Sequence, residues 1–151
     1  MQILPANLFD LNALRGLEKA CFPLDAWPLL DLVAVLSAPG VIRLKAEENG
    51  QMVGFVVGDP HPQEGISWIS SIGVLPEYRG RGIGRALLET CQDALPTAII
   101  HLCVRPSNEE AIRMYKMAGY EHIDRWAGYY NGGEDGLIME KIKNLSDRFD
   151  L

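Results

Sequence analysis

The stretch Ile72–Gly84, I-G-V-L-P-E-Y-R-G-R-G-I-G, decides how the rest of the chain is read. Upstream of it, the apolar run Ile66–Val74 ends at a turn built by Pro76. Downstream, Ile83, Leu87, Leu88, Cys91 and Leu95 recur at the spacing of one helix face. The order is strand, Gly-rich turn, helix. Gly80, Gly82 and Gly84 let the backbone come close to a ligand and aim several N–H groups at one point. The helix N-terminus behind them adds a partial positive charge, and Arg79 and Arg81 add full ones. Such a turn suits a pyrophosphate.

Spacing narrows the ligand. A P-loop closes on Gly-Lys-Ser/Thr, whereas this turn runs Gly84-Arg85-Ala86. A dinucleotide fingerprint needs G-x-G-x-x-G and an acidic residue about twenty positions later, and neither is present. The segment Arg79-x-x-Gly82-x-Gly84 resembles the acetyl-CoA signature R/Q-x-x-G-x-G/A of the GNAT N-acetyltransferases. That resemblance implies acetyl-CoA as co-substrate, held by Ile72, Gly73 and Val74 at the strand end. Arg79, Gly80, Arg81, Gly82, Ile83 and Gly84 would hold it at the turn. The plain alternative is an ordinary Gly-rich turn before a helix; the preceding strand and Pro76-Glu77-Tyr78 speak against it.

At 151 residues the chain is read as one domain, residues 1–143, with a polar tail at 144–151. Hydrophobic content of 48% and charged content of 23% fit a globular protein with a real core. The longest apolar runs fall well short of the roughly 20 residues needed to span a bilayer, and the N-terminus lacks a signal-peptide pattern. Cys21, Cys91 and Cys103 are odd in number and lack metal-ligand spacing, so they read as buried thiols of a reducing cytoplasm, with no metal site. A net charge of −6 argues against a nucleic-acid partner and suits a cationic amine.

In chain order, Gln2–Leu4 reads as a first strand. Leu8, Leu11, Leu14, Leu17 and Cys21 form a helical stripe, broken by Phe22–Pro28, and a second helix covers Leu29–Leu36. Val41–Ala46 and Met52–Val57 read as a hairpin about Asn49-Gly50. After the Gly-rich unit come a strand at Ala98–Val104 and a helix with Ser107 as N-cap and Glu110 closing a capping box. That helix stops at Gly119, and strands at Tyr120–Ala127 and Leu137–Ile142 follow. The resulting order, βααβββαβαββ, is that of the GNAT fold: an α/β domain with a single mixed sheet flanked by helices.

Two further segments extend the resemblance. Asn108-x-x-Ala111-Ile112-x-x-Tyr115 resembles the family's N-x-x-A-I-x-x-Y, which implies that Asn108 contacts the cofactor and that Tyr115 lies against its sulfur. A phenol with a pKa of about 10 still holds its proton at pH 7 and can protonate a departing thiolate. By spacing alone Tyr115 reads as a core aromatic on a helix face; the surrounding Asn108 and Ala111-Ile112 reverse that reading. Trp126–Met139 resembles the Y-Y…G-E-D-A…M close of the N-terminal acetyltransferases of ribosomal-protein alanine (RimI) type. In that group the loop after the first helix and the last hairpin wall a slot for a peptide N-terminus. The resemblance implies Phe22, Trp27, Tyr129 and Tyr130 as acceptor contacts. Glu134 and Asp135 either attract an ammonium or close the turn.

One position departs from the pattern. The RimI type carries a glutamate base in L-E-V-R, where this chain reads Leu102-Cys103-Val104-Arg105. A protonated thiol is a poor base, and His101 or ordered water remain as proton acceptors. An α-amine is already roughly a tenth neutral at pH 7, whereas a lysine is neutral only about four times in ten thousand. A site without a strong base therefore favours N-termini. The expected activity is acetyl transfer to a protein or peptide N-terminus. A small-molecule amine or amino acid as acceptor and a non-catalytic acetyl-CoA-binding module are the rival readings.

Overall fold

The computed structural model of the protein describes residues 1–143; the polar segment 144–151 lies outside the described residues. In order come β1 (Gln2–Pro5), α1 (Leu11–Cys21), α2 (Leu29–Ser37), β2 (Ile42–Glu48), β3 (Gln51–His61) and β4 (Ile66–Val74). Then follow α3 (Ile83–Ala94), β5 (Ile99–Val104), α4 (Glu109–Met117), β6 (Glu121–Trp126) and β7 (Gly136–Ile142). This is the βααβββαβαββ order, and the strands form one seven-stranded sheet, β1-β2-β3-β4-β5-β7-β6. β4 and β5 run parallel, with Ile66 opposite Ile99 and Ile69 opposite Leu102. The β1–β2, β2–β3, β5–β7 and β6–β7 ladders are antiparallel, so the sheet is mixed.

The chain divides into two compact units: residues 1–59 with 70–95, and residues 60–69 with those from 96 onward. In the first unit, Asn49 and Gly50 both take positive φ, the geometry of a tight hairpin turn that matches strand twist. β3 is buried on both faces. Phe55 and Val57 join Leu14, Leu17, Leu32 and Leu36 of α1 and α2 in one apolar cluster. Gly54 and Gly58 point the other way, into α3: a Cβ on Gly54 would lie 3.0 Å from Leu87 Cδ1. One on Gly58 would lie 2.7 Å from Cys91 Sγ and 3.0 Å from Leu95 Cδ2. Gly58→Ala is therefore expected to push α3 off the sheet and destabilise the fold by about 1–3 kcal/mol, read from the denaturation midpoint.

In the second unit, Ile100, Leu102 and Val104 of β5 are buried with Ile138 and Met139 of β7 and with Tyr115 and Tyr120. Every residue of β6 is exposed, and its Glu121, Asp124 and Arg125 put charge on what is the end strand of the sheet.

Two starts differ from the sequence reading. Leu8–Asp10 is a separate 3-10 turn, because Asn7 and Asp10 form a capping box that begins one turn before α1. The N-cap of α4 is Asn108, whose Oδ1 accepts from Ala111 N–H at 3.3 Å, and not Ser107. Ser107 gives both its N–H and its hydroxyl to Glu134, at 2.8 and 2.9 Å, so its side chain is unavailable as a cap.

Candidate active site

The Gly-rich turn belongs to the first unit. Val74 passes through Leu75 into a 3-10 turn, Pro76–Tyr78, and Arg79 folds back so that its Nε donates to Val74 O at 3.0 Å. Gly80 and Gly82 have φ of +77° and +80°, a region open to glycine and strained for other residues. Gly82 is the N-cap of α3 and brings no side chain to it, so the first N–H groups of the helix face outward unclaimed by a cap. A Cβ at Gly80 or Gly82 would meet no atom within 4 Å. The backbone is thus bare on the Cβ side of both glycines, and the residues fit a pyrophosphate. Arg81 is turned aside: its guanidinium lies over the Tyr78 ring at 4.9 Å and stands 3.9 Å from Glu48 Oε2.

The same unit packs the loop after α1 against the end of β4. A Cβ on Gly73 would come within 3.2 Å of Cys21 Sγ and 3.3 Å of Phe22 Cε2, so the end of α1 sits directly on Ile72–Val74. The Cys21 thiol donates to Val74 O at 3.3 Å, and burial pushes that thiol above its usual range. Phe22 and Gly73, assigned separately from sequence, are in contact. Trp27 is tied in by its backbone N–H, which donates to Glu18 Oε2 at 3.4 Å.

In the second unit the rings line up along one face. His101 meets Trp68 edge-on at 5.2 Å, Trp68 lies 5.9 Å from Trp126, and Trp126 lies 5.3 Å from Tyr129. Tyr129 then meets Tyr130 at 4.9 Å, and the Arg105 guanidinium covers the Tyr130 ring at 4.5 Å. Trp126 and Tyr129 remain 39% and 54% exposed, large rings free to take up a partner. Cys103 stands beside them, for a Cβ on Gly136 would lie 2.6 Å from its Sγ and 3.1 Å from Tyr129 Cδ1. Burial raises the Cys103 thiol, against a smaller lowering by its hydrogen bond with Tyr130. It is protonated at pH 7 and cannot act as a base. Cys103→Ala is accordingly expected to keep turnover within about threefold, since no positioned acid or base is lost; loss of all activity in a folded variant would put the thiol in the chemistry.

Glu134 and Asp135 close the hairpin. Glu134 is held low by Ser107 first and Arg105 next, and Asp135 by Arg125 and then the Gly128 N–H. Arg105 Nη1 donates to Glu134 Oε1 at 3.0 Å, and Gly128 N–H donates to Asp135 Oδ1 at 2.9 Å. Of the two roles open to these acids, the turn-closing one is what their hydrogen bonds serve. Glu140 Oε2 pairs with His101 Nε2 at 2.8 Å, a carboxylate orienting an imidazole. Tyr115 is buried, which drives its phenol well above the usual tyrosine value. Its ring packs 6.0 Å from Tyr120.

Over residues 11–120 the chain matches the acetyltransferase (GNAT) family. The chain belongs to that family. It is 35% identical over 142 residues to the catalytic subunit of the N-terminal acetyltransferase B complex of Arabidopsis thaliana, covering 89% of this chain and 75% of that one. It is 31% identical over 122 residues to the N-alpha-acetyltransferase RimI of Mycobacterium tuberculosis, covering 78% and 76%. The crystal structure of the ribosomal-protein-S18-alanine N-acetyltransferase from Escherichia coli superposes with a TM-score of 0.84 at 27% identity, over 95% of this chain and 94% of that one.

For a GNAT acetyltransferase, the residue most missed by the sequence reading is Glu18. It is 1% exposed on α1, and burial raises its carboxyl to about 7. The signal was available: Glu18 falls inside the apolar stripe Leu14, Leu17, Cys21, where a charged residue is out of place. Trp68 and Ser71 carry no comparable signal, since the run Ile66–Val74 reads simply as a strand.

Proposed function

We propose that this acetyltransferase moves the acetyl group of acetyl-CoA onto the α-amino group of a protein or peptide N-terminus, with residues 1–143 acting as one catalytic domain. The observation that carries the reading is the contact between Phe22 and Gly73: the loop that walls the peptide slot in the RimI type rests on the strand assigned to the cofactor. The kinship with N-alpha-acetyltransferases supports the choice of acceptor.

In the proposed reaction the neutral amine attacks the thioester carbonyl carbon, the C–S bond breaks, and the departing sulfur is protonated through the Tyr115 hydroxyl, which regains its proton from solvent. The ammonium proton leaves to solvent, or to His101 held by Glu140. Gly80, Gly82 and Gly84 present N–H groups to the pyrophosphate, with Ile83, Arg79 and Arg81 beside them. Asn108 contacts the cofactor through the amide nitrogen that its cap bond leaves over. Trp27, Tyr129 and Tyr130 wall the acceptor. With Cys103 protonated, no strong base stands at the usual position, and an α-amine loses far less by this than a lysine.

Three free cysteines suit a cytoplasmic setting, and no helix among the described residues is long and apolar enough to cross a membrane. The test is turnover of acetyl-CoA, followed by thiol release, with a panel of peptides. Peptides with free N-termini are expected to turn over and their Nα-blocked, lysine-containing counterparts are not. Turnover with small amines alone would support the rival acceptor, and binding without turnover a non-catalytic module.

A further inference from the structure

Of the charged side chains of α1, Arg15 and Lys19 are exposed and Glu18 alone is buried. A carboxyl removed from water costs several kcal/mol unless its oxygens are satisfied, so a leucine here would serve packing better. The bonds it makes explain its presence. Its backbone oxygen accepts from Phe22 N–H at 2.8 Å. Its Oε2 accepts from Trp27 N–H at 3.4 Å, and Ser71 Oγ donates to its Oε1 at 3.5 Å. The bond to Phe22 closes α1 whatever the side chain, whereas the carboxyl itself holds the Trp27 end of the Phe22–Trp27 loop. It ties that loop to β4 one position before Ile72–Val74.

We propose that Glu18 is a positioning residue of this enzyme: it sets the shape of the Phe22–Trp27 loop against β4, and with it the affinity for the acceptor peptide, without touching either substrate. The inference rests on the acceptor role given to that loop under the proposed function.

Charge state matters to the grip. Trp27 N–H and Ser71 O–H both donate, so the ionised carboxylate satisfies both, whereas protonation turns one oxygen into a competing donor. Burial favours the protonated form and places the exchange near pH 7. The groups around it are Ser71 on β4, Cys21 on α1, and Arg79 and Glu77, of opposite sign, which act on Cys21 from the turn after β4. The folded value, about 7, lies above the 4.5 of a free glutamate. Glu18 therefore adds stability fully below about pH 4.5, and that contribution is lost as pH rises through 7. The loop is held best where the fold gains least.

The test compares the full-length protein with Glu18→Met, which removes both acceptors, and Glu18→Gln, which keeps the shape without the titration. Glu18→Met is expected to raise peptide KM about tenfold, with kcat and the acetyl-CoA Kd within about threefold, as for loss of a buried hydrogen-bond acceptor. Amide hydrogen exchange at Trp27 should lose its protection in the same variant. The ratio of the Glu18→Gln to the wild-type peptide KM should grow from pH 6 to pH 8, because amine titration cancels in that ratio. A folded Glu18→Met protein with wild-type peptide KM and wild-type Trp27 exchange overturns the proposal, as does a change confined to kcat. Should Glu18→Met fail to fold, a Glu18→Gln ratio that is flat with pH overturns it equally. If the wild type acetylates no peptide N-terminus, the acceptor reading is what fails, and Trp27 exchange still decides whether Glu18 holds the loop.

Discussion

Tyr115→Phe is expected to lower kcat by about 10²–10⁴-fold while leaving the acetyl-CoA Kd within about twofold, the range for loss of a positioned acid. The change removes one oxygen from a ring that is otherwise packed among apolar atoms and Tyr120, so the fold should tolerate it. Burial keeps the phenol protonated far above neutral pH. The proton is therefore present throughout the working range, and the pH–rate profile of the wild type should show no limb from Tyr115 below pH 9. The same burial makes the phenol a weaker acid than a thiol, so it acts by donating its hydrogen bond to the sulfur as the C–S bond breaks, and solvent completes the protonation. Single-turnover kinetics, which isolates the chemical step, is the measurement of choice. Turnover within a factor of a few of wild type would leave Tyr115 as packing alone, with water protonating the thiolate.

Much of this fold is legible in the chain because local signals agree with one another. Ile83, Leu87, Leu88 and Cys91 mark the inner face of α3 and Leu95 its C-cap, and all five are buried. Asn49-Gly50 marks its hairpin, and both residues take the positive φ that the turn requires. What escaped depends on partners distant in sequence. Ser107 looked like a cap because Glu110 stands three residues on; its hydroxyl instead goes to Glu134, 27 residues away. His101 and Glu140 are 39 residues apart and meet only because β5 and β7 pair with His101 opposite Glu140. Glu18 meets Ser71 across 53 residues. No periodicity encodes such pairs, although the misplaced charge of Glu18 within an apolar stripe was a sign in the sequence itself.

The site's departure from the RimI pattern also gains a physical shape. The Cys103 thiol lies against Gly136, in a space that a Cβ on Gly136 could not share, with Tyr129 at its side. A glutamate there would carry a longer side chain into the same space, beside the exposed Tyr129 ring. Small side chain at 103, glycine at 136 and the tyrosine pair read as one packing solution. The basicity given up at 103 matters least for an acceptor whose amine is already partly neutral.

Gly82→Val is expected to abolish measurable acetyl-CoA binding, a loss of at least about 100-fold, while the protein still folds. Two effects act together. The φ of +80° at Gly82 is strained for any L-residue and more so for a β-branched one. The resulting strain, about 1–2 kcal/mol, is small beside a typical stability of about 5–15 kcal/mol. Relief of that strain rotates the peptide units on either side, and the N–H groups of Gly82 and its neighbours no longer converge on one point. The added methyls also occupy the open space above the backbone, where no atom now lies within 4 Å of a Cβ. Gly82→Asn separates the two, because asparagine tolerates the left-handed region: the N–H directions survive and only the added bulk remains. Calorimetric titration with acetyl-CoA should therefore rank wild type above Gly82→Asn and Gly82→Asn above Gly82→Val. Near-ultraviolet circular dichroism serves as the folding control. A folded Gly82→Val protein with acetyl-CoA affinity within threefold of wild type would remove the pyrophosphate from this turn, and with it the residue assignments built on Arg79–Gly84.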